Sequence, residues 1–155
     1  MRPKNLAGDH EPVITALQHV VENVSESFEN LILLQPTNPL RPSNLLQDAF
    51  RVYSESNANS LMTVSKFEAK LGTINDHKFK PSNYTMGQRS QDLEPMYKEN
   101  GLLYITKCEE IRNGIILAEN NYAFITNTPF DTVDIDTEID FLMAELLLKK
   151  YAVEL

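Results

Sequence analysis

The chain has 155 residues, 42% of them hydrophobic, which is one domain's worth of protein with enough apolar content for a core and too much for a disordered segment. Fourteen Lys+Arg against 22 Asp+Glu leave a net charge of −8, which excludes a phosphate-neutralising stripe and, with it, nucleic acid as a partner. No apolar run reaches the ~18 residues of a membrane span, the first dozen residues lack the apolar stretch of a secretory signal, and the lone Cys108 has no internal disulfide partner. These features predict a reduced, cytoplasmic protein.

Residues 12–24 place Val13, Ile14, Leu17, Val20, Val21 and Val24 on one face of a 3.6-period helix, with Pro12 in its first turn. Leu31–Leu34 is a short, wholly apolar run that predicts a buried parallel strand. A proline-rich loop from Gln35 to Pro42 follows it, then Ser43 as helix cap and a helix over 44–55 with Leu45, Leu46, Ala49, Phe50 and Tyr53 facing inward. Residues 60–67 read as a strand. Residues 68–100 are polar and aperiodic, an excursion from the main layer that suits a hairpin arm, a lid or an oligomerisation element. Strand character returns at 102–106. A short helix stops at Asn113 and Gly114, and another strand covers 122–126. Thr137 and Asp140 fit a capping box that opens a last helix running to about Lys150. Strands alternating with helices predict an α/β fold with a mostly parallel sheet.

Few residues in this inventory can carry chemistry. The five glycines are too scattered for a phosphate-cradling loop, and His10, His19 and His77 lack metal-ligand spacing. The loop after the 31–34 strand is one candidate. Ligands of open α/β sheets collect beyond the carboxyl ends of the strands, which would put Gln35, Thr37 and Arg41 at the productive edge; the alternative is a rigid connection stiffened by three prolines. The run from Asp131 to Asp140 is the second. If it is extended, Asp134 and Asp136 aim two carboxylates at one point, a donor pair suited to magnesium together with substrate phosphates; the alternative is an acidic helix start, which accounts for Asp140. Arg89, within the excursion, is a weaker candidate for an anion.

Several of these segments together resemble one family. Leu33 to Arg41 (LLQPTNPLR) closely resembles the LLQPTSPLR motif of the acylneuraminate cytidylyltransferases, the CMP-sialic acid synthetases. Gln88 to Leu93, with Tyr97 and Asn100 to Ile105, is similar to their RRQDLPxxYxxNGAIYI stretch. Asp134 to Thr137 with Asp140 and Phe141 looks like DIDTxxDF, and Arg2, Pro3, Leu6, Ala7 and Asp9 resemble RPxxLAxD. The four motifs stand in the family's order and cover nearly the whole chain.

This resemblance implies a Rossmann-like nucleotidyltransferase domain, N-terminally incomplete, with an inserted dimerisation arm at 68–100. It implies transfer of CMP from CTP to a sialic acid-like, nine-carbon 2-keto sugar acid, with Mg2+, in a homodimer. Carried over by position, Asp134 and Asp136 would hold the metal, Gln35 would contact the sugar, Arg89 would meet it from the arm, and Arg2 would lie near the nucleotide. Asn38 stands where the family has serine, expected to be a small change; Ser90 and Glu94 are departures in the arm motif that bear on sugar preference. The family's basic, glycine-containing phosphate loop has no counterpart after Met1, so the chain alone is expected to turn over little CTP. Two further readings stay open: a non-catalytic dimeric or sugar-binding fragment, and a cytidylyltransferase for another 2-keto sugar acid such as an octulosonate or a bacterial nonulosonate.

Overall fold

The structure, a computed structural model, describes residues 3, 6–8 and 10–151; Arg2, with its expected place near a nucleotide, lies outside the described residues. In chain order the elements are α1 (Val13–Asn23), β1 (Asn30–Leu33), α2 (Leu45–Glu55), β2 (Ser60–Phe67), β3 (Gly72–Asn75), β4 (Lys78–Pro81), β5 (Met96–Lys107), α3 (Cys108–Arg112), β6 (Asn121–Thr126) and α4 (Glu138–Tyr151). Four strands form the main sheet in the order β1-β5-β2-β6. β6 runs parallel to β2, while β5 runs antiparallel to both its neighbours, β1 and β2. Three strands therefore share one direction, and β5 runs against them.

That arrangement corrects the reading of 31–34. The strand is Asn30–Leu33, it lies at the sheet edge, and it pairs antiparallel with β5 rather than parallel and buried. The cause is the excursion. β2 and β5 leave and re-enter the body as one long antiparallel pair, so β5 returns between β2 and β1 in the opposite sense. At the far end, β3 and β4 form a separate two-stranded sheet joined at Asp76 and His77, both with positive φ. This is the hairpin form of the arm, and it carries exposed Ile74, Phe79 and Met86.

Helices cover both sheet faces. On one, Leu45, Ala49 and Tyr53 of α2 pack on Leu61, Leu102, Leu103 and Ile105. On the other, Leu17 and Val21 of α1 and Cys108 and Ile111 of α3 pack with Leu31 and Leu33. Each fully buried aliphatic side chain of this kind contributes about 1.5–3 kcal/mol. A third cluster holds α4 to the loop after β1, through Leu40, Phe130, Val133 and Ala144. Two details of α2 differ from expectation. Ser43 does not cap it: Asn44 occupies the cap position, its side chain donating to Asp48 Oδ2 at 2.7 Å. Leu46 and Phe50 turn outward, because the narrow sheet accepts only the stripe of Leu45, Ala49 and Tyr53.

β5 is also longer than the 102–106 expected from its apolar run. It begins at Met96 and is broken by a large bulge: Met62 pairs with Tyr104 and Val64 with Glu99, so Asn100, Gly101, Leu102 and Leu103 all stand opposite Thr63. The Thr63 hydroxyl fills the gap in the ladder, accepting from Leu103 N–H at 3.1 Å and donating to Leu103 C=O at 3.2 Å. Gly101 sits in the bulge at φ +72°, where a Cβ would lie 2.7 Å from both Asn38 Oδ1 and Gln35 Oε1. Gly101→Ala combines left-handed strain with that collision; it is expected to cost about 1–3 kcal/mol and to lower the urea midpoint at unchanged slope in equilibrium unfolding.

Candidate active site

β1 and β6 end on the same edge of the sheet, and the bulge of β5 rises between the loops that follow them. The floor of this region is a buried polar knot around Asn38, which is 1% exposed. Its Nδ2 donates to the carbonyl of Asn100 at 3.1 Å and to that of Val133, and its Oδ1 accepts from the Thr37 hydroxyl at 3.3 Å. Asn100, itself buried, donates to Thr126 Oγ1 at 2.8 Å. Thr37 C=O accepts from Ile135 N–H at 2.9 Å. One side chain thus ties the loop after β1 to the bulge of β5 and to the acidic segment before α4. Asn38 is no small change from serine here: a shorter hydroxyl lacks the two amide donors that these carbonyls use.

Arg41 completes the scaffold. Its guanidinium donates to Leu102 C=O at 2.7 Å and to Gln35 C=O at 2.6 Å, and burial draws its pKa below the ordinary arginine value. The fork expected to face a substrate anion is committed to backbone, pinning the loop to the bulge. Thr37 is likewise spent within the loop. Gln35 is free: its amide makes no hydrogen bond among the described residues, and it lines a cleft of about 310 Å³ with Lys98, Glu99, Asn100, Gly101, Tyr104 and residues 131–134. Asp134 lines the same cleft. The structure therefore brings Gln35 and Asp134 together from segments a hundred residues apart.

Beside Asp134 the exposure alternates: Val133 is buried, Asp134 exposed, Ile135 half-buried and Asp136 exposed. The two carboxylates share the solvent side while Val133 and Ile135 face the α4 cluster. As a donor set they fit magnesium, two hard oxygens with the remaining positions left to water and phosphate; no cluster of three metal-ligating side chains occurs among the described residues. Asp140 does something else. It accepts from the Thr137 hydroxyl at 2.7 Å and Thr137 N–H at 2.8 Å, and its own N–H reaches Thr137 Oγ1 at 3.3 Å, the reciprocal capping box expected at the start of α4.

Three cleft residues were not legible as site residues. Asp131, 7% exposed, joins Thr128 in a capping box that locks the Pro129–Thr132 turn, a pattern visible in Thr128-Pro-Phe-Asp131. Tyr104 donates its phenol proton to Glu99. Burial first, then the hydrogen bond and charge of Glu99 and the charge of Asp134, push the Tyr104 pKa far above the ordinary tyrosine value, so the phenol stays a donor. Nothing in a bare Glu-Asn-Gly stretch announces that pair. Arg89 is not in the cleft. It lies exposed on the arm, paired to Asp92 through two hydrogen bonds of 2.8 and 2.9 Å, next to Ser90, which opens an exposed single turn.

The order of the elements and the position of the cleft define an α/β nucleotidyltransferase-like domain. The fold is similar to that of 4-diphosphocytidyl-2C-methyl-D-erythritol synthase from Anaerococcus prevotii, with a TM-score of 0.61 at 9% identity over 89% of this chain and 67% of that one. No protein-family model matches the chain. In sequence it is 27% identical over 159 residues to the CMP-N,N'-diacetyllegionaminic acid synthase of Legionella pneumophila, covering 96% of this chain and 68% of that protein. It is 28% identical over 148 residues to the N-acylneuraminate cytidylyltransferase of Streptococcus agalactiae, covering 92% of this chain but only 35% of the relative. The resemblance carried by the motifs thus extends along most of the chain.

Two measurements test this construction of the site. Asn38→Ser is expected to cost about 1–3 kcal/mol, the penalty for a buried carbonyl left without its donor, read as a lower denaturation midpoint. The cap is tested by pH. Its hydrogen bonds, that of the Thr137 hydroxyl foremost, hold the Asp140 carboxyl below the ordinary aspartate value. A depressed folded value stabilises the helix above the unfolded value of about 4, and the effect is lost as pH falls through the folded one. Acid titration of α4 helicity by circular dichroism should thus fall less steeply in Asp140→Asn than in the parent chain.

Proposed function

We propose that the chain forms the sugar- and metal-facing part of a site that transfers CMP from CTP to a sialic acid-like 2-keto sugar acid. The observation that carries this reading is the convergence of Gln35, the Asn100–Gly101 bulge and Asp134 on one cleft from three separate segments. Gln35, with an unspent amide, would hydrogen-bond the sugar acid, while Thr37 and Arg41 hold the loop that presents it. The sugar's anomeric hydroxyl would attack the α-phosphorus, with pyrophosphate leaving. Such chemistry rests on positioning and on neutralising phosphate charge. Glu99, Asp131 and Asp134 make the cleft acidic, with Lys98 its one cation among the described residues. A bound Mg2+ on Asp134 and Asp136 would supply the missing positive charge to the phosphates. Arg89, turned away from its own cleft, would serve a second copy through the arm, whose exposed Ile74, Phe79 and Met86 suit a homodimer contact. The buried thiol of Cys108 accords with a reducing, cytoplasmic setting, and no helix among the described residues is long and apolar enough to cross a membrane.

A second reading concerns the sugar. Similarity to the Legionella pneumophila protein over 96% of the chain favours a bacterial nonulosonate such as a legionaminate as strongly as a neuraminate. Pyrophosphate release from CTP and Mg2+ with a panel of these acids separates the two. With whichever acid turns over, in the chain alone or in one completed with the family's phosphate loop, Asp134→Asn and Asp136→Asn should each lower the rate about 10²-fold or more, while Asp140→Asn leaves it near the parent value. Turnover indifferent to both substitutions overturns the metal assignment. Binding of a sugar acid without turnover supports the non-catalytic, sugar-binding alternative instead.

A further inference from the structure

The helix α4 carries more apolar surface than its packing uses. Its inner face, Ala144, Leu147 and Tyr151, is occupied by Leu40, Phe130 and Val133, with the Phe130 and Tyr151 rings edge to face at 6.2 Å. On the opposite side Ile139, Leu142, Met143 and Leu146 are 72%, 53%, 54% and 62% exposed. Their spacing is i, i+3, i+4, i+7, the seam of a helix that pairs with another helix. A surface helix ordinarily turns polar residues to water, and here that face is polar only at its two ends.

Those ends identify the occupant. Asp136 and Glu138 stand at the start of the helix, Lys149 and Lys150 in its last turn. Among the described residues Asp136, Glu138 and Lys150 form no ion pair within the chain; Lys149 reaches Glu145 only at 4.0 Å. We propose that this face of α4 is a self-pairing surface, on which a second copy of the chain lays its own α4 antiparallel. A two-fold axis near Leu142 and Met143 sets Ile139 opposite the second copy's Leu146 and brings the lysines of each helix onto the acidic start of the other. A parallel pairing would oppose acid to acid and lysine to lysine, so charge selects the antiparallel one. The contact is isologous and closes on itself. It involves α4 and not the β3–β4 arm, so it stands apart from the arm contact; Glu138 alone supplies the acidic start it needs, which leaves Asp136 to the metal of the proposed function.

The test is sedimentation velocity on the full chain across a wide concentration range. Leu146→Glu puts a charge into the seam at an exposed position; circular dichroism confirms the fold, and self-association should weaken about tenfold or more, with the mass falling by one dimerisation step. Glu138→Lys and Lys150→Glu should each weaken association, and the double variant should restore it. A parent chain that stays monomeric, a mass unchanged by Leu146→Glu, or a double variant as weak as the singles overturns the proposal. An association held by the arm alone gives the second of these outcomes.

Discussion

The site depends on a close approach of backbone to side chain at Gly101. Only a residue without a Cβ lets the β5 bulge lie against the Asn38 and Gln35 side chains, and only that contact allows the Asn38 amide to reach the carbonyls of both Asn100 and Val133. Remove the approach and three segments lose their common anchor. Gln35 then has no fixed relation to Asp134. Every buried member of the knot is hydrogen-bonded, through Asn38, Asn100, Thr126 and Thr63, which is the condition under which a polar interior adds specificity instead of cost. Among the described residues the one buried side-chain polar atom left without a partner, Ser65 Oγ, lies outside this set.

Above the knot, the electrostatics are lopsided. Among the described residues, three acidic residues and one lysine line the cleft. The Tyr104 phenol, kept protonated by burial and by Glu99, adds a hydrogen-bond donor without adding charge. An anionic ligand meets net repulsion there unless a cation comes with it. The separate destinies of neighbouring acids fit this picture: Asp131 and Asp140 are spent on turns, whereas the Asp134 and Asp136 side chains make no hydrogen bond among the described residues. A short acidic run contains two structural residues and two unspent ones.

The sequence showed the elements better than their pairing. Apolar periodicity placed α1 and α2, short apolar runs placed β2 and β6, and the capping box placed α4, each within a few residues. β5 was legible only over its apolar half, since residues 96–101 earn their place through pairing with β2 and through the bulge, neither of which has a hydropathy signature. The same long-range pairing decided the direction of β1. In the site, Gln35 and the Asp134–Asp136 pair stood out by residue type and position, but the partners of Arg41 and Asn38 are main-chain carbonyls, which no sequence pattern records. Glu99 and Tyr104 escaped notice because they meet across the bulge.

β5 spans twelve residues, roughly 40 Å of extended chain. Its first third belongs to the stem of the arm, its middle is the bulge that floors the cleft, and its last third is the core of the sheet. It acts as a tie rod with a single irregular link, Asn100 to Leu103, where the ladder with β2 is interrupted and the side chains of Thr63, Asn38 and Arg41 hold the backbone instead. Along this rod the arm connects to the core of the sheet through that link, which is also where the Asn38 and Gln35 side chains approach. Whatever grips the arm therefore holds a lever whose fulcrum is the cleft.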